Sequence, residues 1–262
     1  MKSILKDLAT TAGLLWQKGW AEANAGNISV NMTGVELDLE SEFIASGHVV
    51  SPVAFRSIGN RWFIAKASGK RMRDVAHDPL QNCAVIHVDS KGDGYIGYYH
   101  KSVKEPLIPT SELPSHLAVH DILVKQKSPS RAVVHTHCPE LIALTHLREL
   151  QSTEAFSKLV WKMIPECAVF LPHGVGYVPY LVPGSVDIAK ATAAMVSQHD
   201  LIIWGKHGAL AIAGTCEEAF DKIDLAAKAA FLFLTCRNAG FEPEGLTNQQ
   251  ISFLRTLGKE NE

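Results

Sequence analysis

The stretch Arg131-Ala-Val-Val-His135-Thr-His137-Cys-Pro139 decides how this chain reads. An apolar, β-branched run ends in two histidines one residue apart. In a strand, side chains i and i+2 stand on the same face. The spacing predicts a strand over 132–136 that presents the imidazoles of His135 and His137 side by side, on a stiff support, where strand gives way to loop. Two such imidazoles suit a divalent metal, with zinc the leading candidate. Cys138 adjoins the pair, either as a metal contact or as a small buried hydrophobe.

A catalytic zinc site commonly takes three protein ligands and keeps a fourth position open. His207, in Trp204-Gly-Lys-His207-Gly-Ala-Leu210, is the candidate third ligand. It sits between two apolar runs, and the flanking glycines allow a sharp bend; an ordinary turn histidine fits the same string. Glu112, in Pro109-Thr-Ser-Glu112-Leu-Pro-Ser-His116, is a candidate base. The pattern places it in a first helical turn, where the helix dipole alone would account for an acid. His116 and His120 follow on the same helical face, so a Glu/His/His stripe is a second conceivable ligand set. No H-E-x-x-H is present, so a metalloprotease lacks its signature. Three loops offer small residues, hydroxyls and backbone N–H groups suited to an anion: Asn24-Ala-Gly26-Asn27, Ser68-Gly69-Lys70 and Thr110-Ser111. Each also reads as an ordinary turn. Ser68-Gly-Lys lacks the upstream glycine of a Walker A loop.

The 262 residues carry 47% hydrophobic and 20% charged side chains, enough to bury a sizeable core. A net charge of −2 gives no support for nucleic-acid or membrane-surface binding. No apolar run reaches transmembrane length and the N-terminus has no signal-peptide pattern, so the expected location is cytoplasmic. Cys83, Cys138, Cys167, Cys216 and Cys236 are odd in number, widely spaced and form no C-x-x-C; a disulfide framework is not expected.

Periodicity predicts helices over 4–20, from about 112 to 124, and over 141–150, 156–163, 186–198 and 215–237, with a short one near 249–257. Strands are predicted over 28–30, 62–67, 83–88, 95–99, 132–136, 168–171, 201–204 and 209–213. Residues 33–60 read as a long insertion or irregular hairpin. The hydroxyls of 110–111 stand where a helix cap is expected. With no linker or repeat, and with strands that do not alternate strictly with helices, the chain is expected to be α/β: a single domain over 1–262, with a mainly antiparallel central β-sheet flanked by helices on both sides.

In combination, these strings resemble the class II aldolase/adducin family, in order from about Gly19 to Gly240. The carriers are Asn24-Ala-Gly-Asn27, Ser68-Gly69, Thr110-Ser-Glu112, His135-Thr-His137 and Lys206-His207-Gly208. The resemblance extends to Lys18-Gly-Trp-Ala-Glu22, His87 to Tyr95, Pro109 to His116, Asp187 to Ala194 after Val182-Pro-Gly184, and the 33–60 insertion. Ala25 departs from a glycine of the pattern. The resemblance implies that His135, His137 and His207 bind Zn2+ and that Glu112 is the acid/base residue. It implies phosphate binding by Asn24, Gly26, Asn27, Ser68, Gly69 and Ser111. Glu166 corresponds to an acidic residue that reaches a neighbouring subunit's site, and the assembly implied is a cyclic homotetramer with sites at subunit interfaces. The activity implied is reversible cleavage of a ketose 1-phosphate, L-rhamnulose 1-phosphate foremost, to dihydroxyacetone phosphate and an aldehyde. L-Fuculose 1-phosphate cleavage, methylthioribulose-phosphate dehydration and pentulose 5-phosphate epimerisation are the alternatives within the family; the epimerases typically carry aspartate at the Glu112 position. An adducin-like scaffold is the non-enzymatic alternative, and it lacks the metal ligands. His77, His87, His100, His146, His173 and His199 are read as surface, turn or satisfied polar positions, and the five tryptophans as core and interface.

Overall fold

The computed structural model describes residues 1–36 and 39–259. In chain order the elements are α1 (Lys2–Gln17), β1 (Asn27–Asn31), α2 (Leu39–Glu42), β2 (Phe43–Val50), β3 (Trp62–Lys66), α3 (Met72–His77), α4 (Pro79–Asn82), β4 (Cys83–Val88) and β5 (Gly94–His100). There follow α5 (Leu113–Lys125), β6 (Ala132–Thr136), α6 (Pro139–Leu144), α7 (Thr153–Met163), α8 (Pro165–Phe170), β7 (Val175–Val178), α9 (Val186–Met195), β8 (Leu201–Trp204), β9 (Gly208–Ala213), α10 (Cys216–Asn238) and α11 (Asn248–Lys259). Among the described residues the strands form one sheet of nine, ordered β2-β5-β4-β3-β1-β6-β9-β8-β7. No helix among them is long and apolar enough to cross a membrane.

Strand alternation separates two packed faces. One carries Ile28, Ile64 and Val134 against Leu8, Ala12 and Leu15 of α1 and Ile223, Ala226 and Ala230 of α10. The other carries Phe63, Ala65 and Ile86 against Leu113 and Leu117 of α5 and Ala189 of α9. Val133, Leu210 and Ile212 continue that second face. Helices therefore cover both sides, as expected, and Ala219, Ile223, Ala226, Ala227 and Ala230 form a buried stripe on α10.

The start of α10 is tied down twice. Thr215 and Glu218 form a capping box. The Asp7 carboxylate of α1 accepts from the N–H groups of Cys216 at 2.8 Å and Glu217 at 3.1 Å. Together these satisfy donors that a helix start leaves unpaired.

Several expectations need correction. The sheet is mixed: antiparallel pairings predominate, but β7 runs parallel to β8. Residues 168–171 are not a strand; α8 runs through 165–170. A four-residue apolar run fits either state, and Pro165 at the helix start presets its backbone. The strand β7 was not anticipated, because Pro-His-Gly-Val-Gly reads as a turn until β8 supplies a partner. Residues 33–60 are not an irregular insertion throughout: Phe43–Val50 form an edge strand paired with β5, with an irregularity between Ala45 and Gly47. Residues 37–38 of that stretch, and 260–262 of the expected 1–262 domain, lie outside the described residues. The helix over 141–150 stops at Leu144, and Arg148–Leu150 form a separate 3-10 turn. The last helix near 249–257 is α11.

Thr215→Ala should lower global stability by about 1 kcal/mol. Urea unfolding should show a reduced midpoint with an unchanged slope.

Candidate active site

The site is built where β1, β6 and β9 lie side by side at the middle of the sheet. Asn27 pairs with His135 across β1 and β6, and His135 pairs with Leu210 across β6 and β9. His135 is the penultimate residue of β6, and His137 stands just beyond its end. The turn from β8 to β9 brings in His207. The ring centroids of His135 and His137 are 5.2 Å apart, of His135 and His207 4.9 Å, and of His137 and His207 5.0 Å. One nitrogen from each ring falls within 4.8 Å of those of the other two, close enough to share an ion. The structure thus brings together the three histidines singled out in the sequence. Trp204 walls the group, stacked near His207 and beside His135.

Hydrogen bonds set the tautomers. Nδ1 of His135 lies 2.9 Å from the carbonyl oxygen of Ala209. A carbonyl only accepts, so Nδ1 carries the proton and Nε2 keeps its lone pair. Nδ1 of His137 lies 2.6 Å from Oε1 of Glu22, and an ionised carboxylate imposes the same tautomer. Burial, then the neighbouring His207 and His137, holds the His135 ring well below the usual histidine range. Burial and His137 bring His207 down to about 4. Both rings are therefore neutral near pH 7, the form that binds metal.

Glu112 arrives from the opposite side. It is the cap residue of α5 and not, as expected, a residue of its first turn. Thr110 Oγ1 accepts from the Glu112 N–H at 3.3 Å, and no side-chain hydroxyl caps α5 itself. Glu112 is 6% exposed. Asn27 Nδ2 donates to its Oε2 at 2.5 Å. That same Oε2 stands 3.4 Å from His135 Nε2, and Oε1 stands 3.5 Å from His207 Nε2. Burial raises the Glu112 carboxyl above the usual range, opposed by His137, the Asn27 hydrogen bond and Lys66.

The residues present fit a divalent cation. His135 Nε2 is fully buried and has no hydrogen-bond partner among the described residues. Its lone pair faces a carboxylate oxygen across 3.4 Å, two acceptors with no proton between them when Glu112 is ionised. A cation among three imidazole nitrogens and a carboxylate relieves that repulsion, and this donor set suits zinc and similar metals.

The residues read as cradling an anion fall into two groups. Asn24, Gly26 and Asn27 lead into β1. Gly26 has a left-handed backbone (φ +74°), and a Cβ there would meet His135 O at 3.3 Å. Ser68, Gly69 and Ser111 lie on segments joined by the Ala67–Pro109 bridge and by the Ser68 N–H donating to Ile108 O at 2.7 Å. Lys66 Nζ links the two groups, donating to Asn24 O and Lys70 O at 2.7 Å each. Cys138 does not face the ion site; its thiol is buried and donates to Glu140 at 3.1 Å. His116 and His120 do not join the histidine group either: both share Ser29 Oγ, at 2.8 and 2.9 Å. Glu166 is exposed in the first turn of α8, and no hydrogen bond or ion pair among the described residues links it to the histidines.

Sequence reasoning missed Glu22 and Lys66. Glu22, in Gly19-Trp-Ala-Glu22, reads as an ordinary acid of a turn. Lys66 carried a readable signal, a lone lysine closing the apolar strand Trp62-Phe-Ile-Ala-Lys66. The bend at His207 also differs from expectation. Its left-handed residue is Lys206 (φ +59°), not a flanking glycine. Such a conformation costs a non-glycine residue roughly 1 kcal/mol. Thr145 Oγ1 holds it in place by accepting from the Lys206 N–H at 2.8 Å.

Gly208 is needed for a different reason. A Cβ there would come within 2.3 Å of Thr136 O and 3.1 Å of His135 Cε1. Gly208→Ala should push β9 from β6, cost about 1–3 kcal/mol and weaken divalent-ion binding at least tenfold. Urea unfolding and chelator competition check both effects.

The family model described as the class II aldolase and adducin N-terminal domain matches residues 6–234. A rhamnulose-1-phosphate aldolase from Bacteroides thetaiotaomicron is 40% identical, with 96% of each chain covered. A rhamnulose-1-phosphate aldolase from Mannheimia succiniciproducens is 35% identical over 92% of this chain and 88% of its own. The crystal structure of a sugar-phosphate aldolase from Thermotoga maritima superposes with a TM-score of 0.80 at 29% identity, covering 94% of this chain and 99% of the other. The chain belongs to the class II aldolase and adducin N-terminal domain family.

Proposed function

We propose that this chain is a metal-dependent lyase that reversibly cleaves L-rhamnulose 1-phosphate to dihydroxyacetone phosphate and L-lactaldehyde. The observation that carries this reading is the convergence of His135, His137 and His207 beside the buried carboxylate of Glu112. The two rhamnulose-1-phosphate aldolases at 40% and 35% identity support the choice of substrate. An adducin-like scaffold would have no use for this constellation, because function follows the site and not the fold.

In this reading His135, His137 and His207 hold Zn2+. Bound there, the ion supplies Lewis-acid stabilisation of the negative charge that develops on the ketose oxygens. Neutral imidazoles leave its charge undiminished. Glu112 handles the proton at C3. When the C3–C4 bond breaks, the C4 hydroxyl releases its proton to solvent and becomes the aldehyde carbonyl, the electron pair remains on C3 as an enediolate, and Glu112, carrying one proton, delivers it to C3. In the aldol direction the carboxylate removes that proton. The burial that lifts the Glu112 carboxyl above the usual range brings it closer to the pH at which it must exchange protons. Asn27 holds Oε2 and so aims the carboxyl. Asn24, Gly26, Asn27, Ser68, Gly69 and Ser111 surround the phosphate, which fixes C3 relative to Glu112. No lysine is needed as a Schiff-base nucleophile.

The proposed assembly is a homotetramer in the cytoplasm. Exposed Ile108, Tyr180 and Val182 lie in segments flanking Ser111, whose carbonyl approaches Gly184. An adjoining subunit would cover them and bring its Glu166 to the edge of the site.

Chelation should abolish cleavage of L-rhamnulose 1-phosphate, and added Zn2+ should restore it, followed as lactaldehyde release. Full activity in metal-free protein would defeat the proposal. Glu112→Gln should keep its zinc but lose at least 100-fold in exchange of the C3 proton of dihydroxyacetone phosphate with solvent, read by NMR. Normal exchange in that variant would remove Glu112 from the role of base.

A further inference from the structure

We infer that Glu22 is the positioning residue that fixes the tautomer and orientation of His137, and thereby sets the affinity of the site for its divalent ion. This rests on the reading of His135, His137 and His207 as ligands.

The three imidazoles are not held alike. His135 lies inside β6, is fully buried, and has a sheet carbonyl on Nδ1. His137 lies past the last residue of the strand, and its side chain is 22% exposed. Its ring would be free to turn and to carry its proton on either nitrogen. What restrains it comes from 115 positions away in the chain. Glu22 Oε1 accepts a hydrogen bond from Nδ1–H at 2.6 Å, and the lone pair is left on Nε2, facing the ion site. A carboxylate behind a ligating imidazole orients the ring and raises its basicity.

The acid is itself placed by local structure. Trp20 O accepts from the His137 N–H at 3.0 Å and from Thr136 Oγ1 at 2.7 Å. These bonds pin the loop preceding β1 to the end of β6. Three residues after Trp20, Ala23 adopts a left-handed backbone (φ +48°), and the Ala25 N–H closes the turn onto Glu22 O at 2.8 Å. A non-glycine residue held in that conformation marks a loop whose shape is enforced. Glu22 is 64% exposed, so its pairing with His137 adds little to global stability. Its effect falls on the ion.

Zinc affinity of the full chain, measured by competition with a chromophoric chelator, tests this. Glu22→Ala should bind zinc about 10–100-fold more weakly. Glu22→Gln, whose amide oxygen still accepts from Nδ1, should retain clearly tighter binding than Glu22→Ala. In cobalt-loaded protein the visible absorption bands should shift in Glu22→Ala and move less in Glu22→Gln. Metal-free Glu22→Ala should melt with the wild type, which separates the effect from unfolding. Zinc affinity in Glu22→Ala within twofold of wild type overturns the inference, as does a Glu22→Gln variant no better than Glu22→Ala. His137→Ala separates the two levels. If it binds zinc as wild type does, the ligand assignment itself falls; if it loses zinc while Glu22→Ala does not, only the role of Glu22 falls.

Discussion

The site depends on one constraint: a buried carboxylate and three imidazoles must be kept together, with the carboxylate and His135 almost entirely shut off from water. Left free, these groups would turn outward. The centre of the sheet prevents this. Asn27, His135 and Leu210 are cross-strand neighbours on β1, β6 and β9, so the residue that steadies Glu112 and the residue that anchors the histidine group share one register. A slip of one residue in β6 would turn His135 into the opposite core, against α1 and α10. Both faces of the sheet are packed, which fixes that register.

Backbone strain gathers where the strands end. Among the described residues only four non-glycine residues have positive φ, and two of them, Ala23 and Lys206, lie within two residues of Glu22 and His207. Each is held by a specific bond: Ala23 by the turn that closes on Glu22, Lys206 by the hydroxyl of Thr145. Thr145 also accounts for the end of α6. Its Oγ1 donates back to Ile142 O at 2.6 Å while accepting from the 205–207 turn, so this residue both stops a helix and supports the histidine loop. The close approach at Gly208 has the same origin, since β9 must start flush against β6 for His207 to meet His135.

This separates what the sequence makes legible from what it does not. The histidine strand could be read residue by residue, because alternation in a buried strand is a local property. The amphipathic stripes of α1 and α10 were legible for the same reason. Residues 165–170 and 175–178 were not: short apolar runs carry no period long enough to separate helix from strand, and β7 exists only because β8 offers it a parallel edge. The polar stretch before β3 hid β2, a strand at the edge of the described sheet that pairs with β5. At the site, residue types with few roles, such as closely spaced histidines, stood out. Glu22 did not, since an exposed acid in a turn looks like any other until the fold places it against His137.

Lys66 shows how a residue with no catalytic step of its own serves the arrangement. It is 2% exposed, and burial pulls its ammonium down to about 8. A buried ammonium is costly unless its donors are used. Here two of them go to the carbonyls of Asn24 and Lys70, one from each of the loops read as cradling phosphate. Carbonyls satisfy the donors without cancelling the charge. The remaining positive field reaches Glu112, where it opposes the rise that burial imposes on the carboxyl. Methionine would fill a similar volume but leave both carbonyls unpaired, and arginine would need a planar set of acceptors in place of two single carbonyls. A lysine at this strand end therefore does two things that no apolar residue could. It ties together loops whose tips are exposed, and it limits how far the buried acid is driven toward its neutral form.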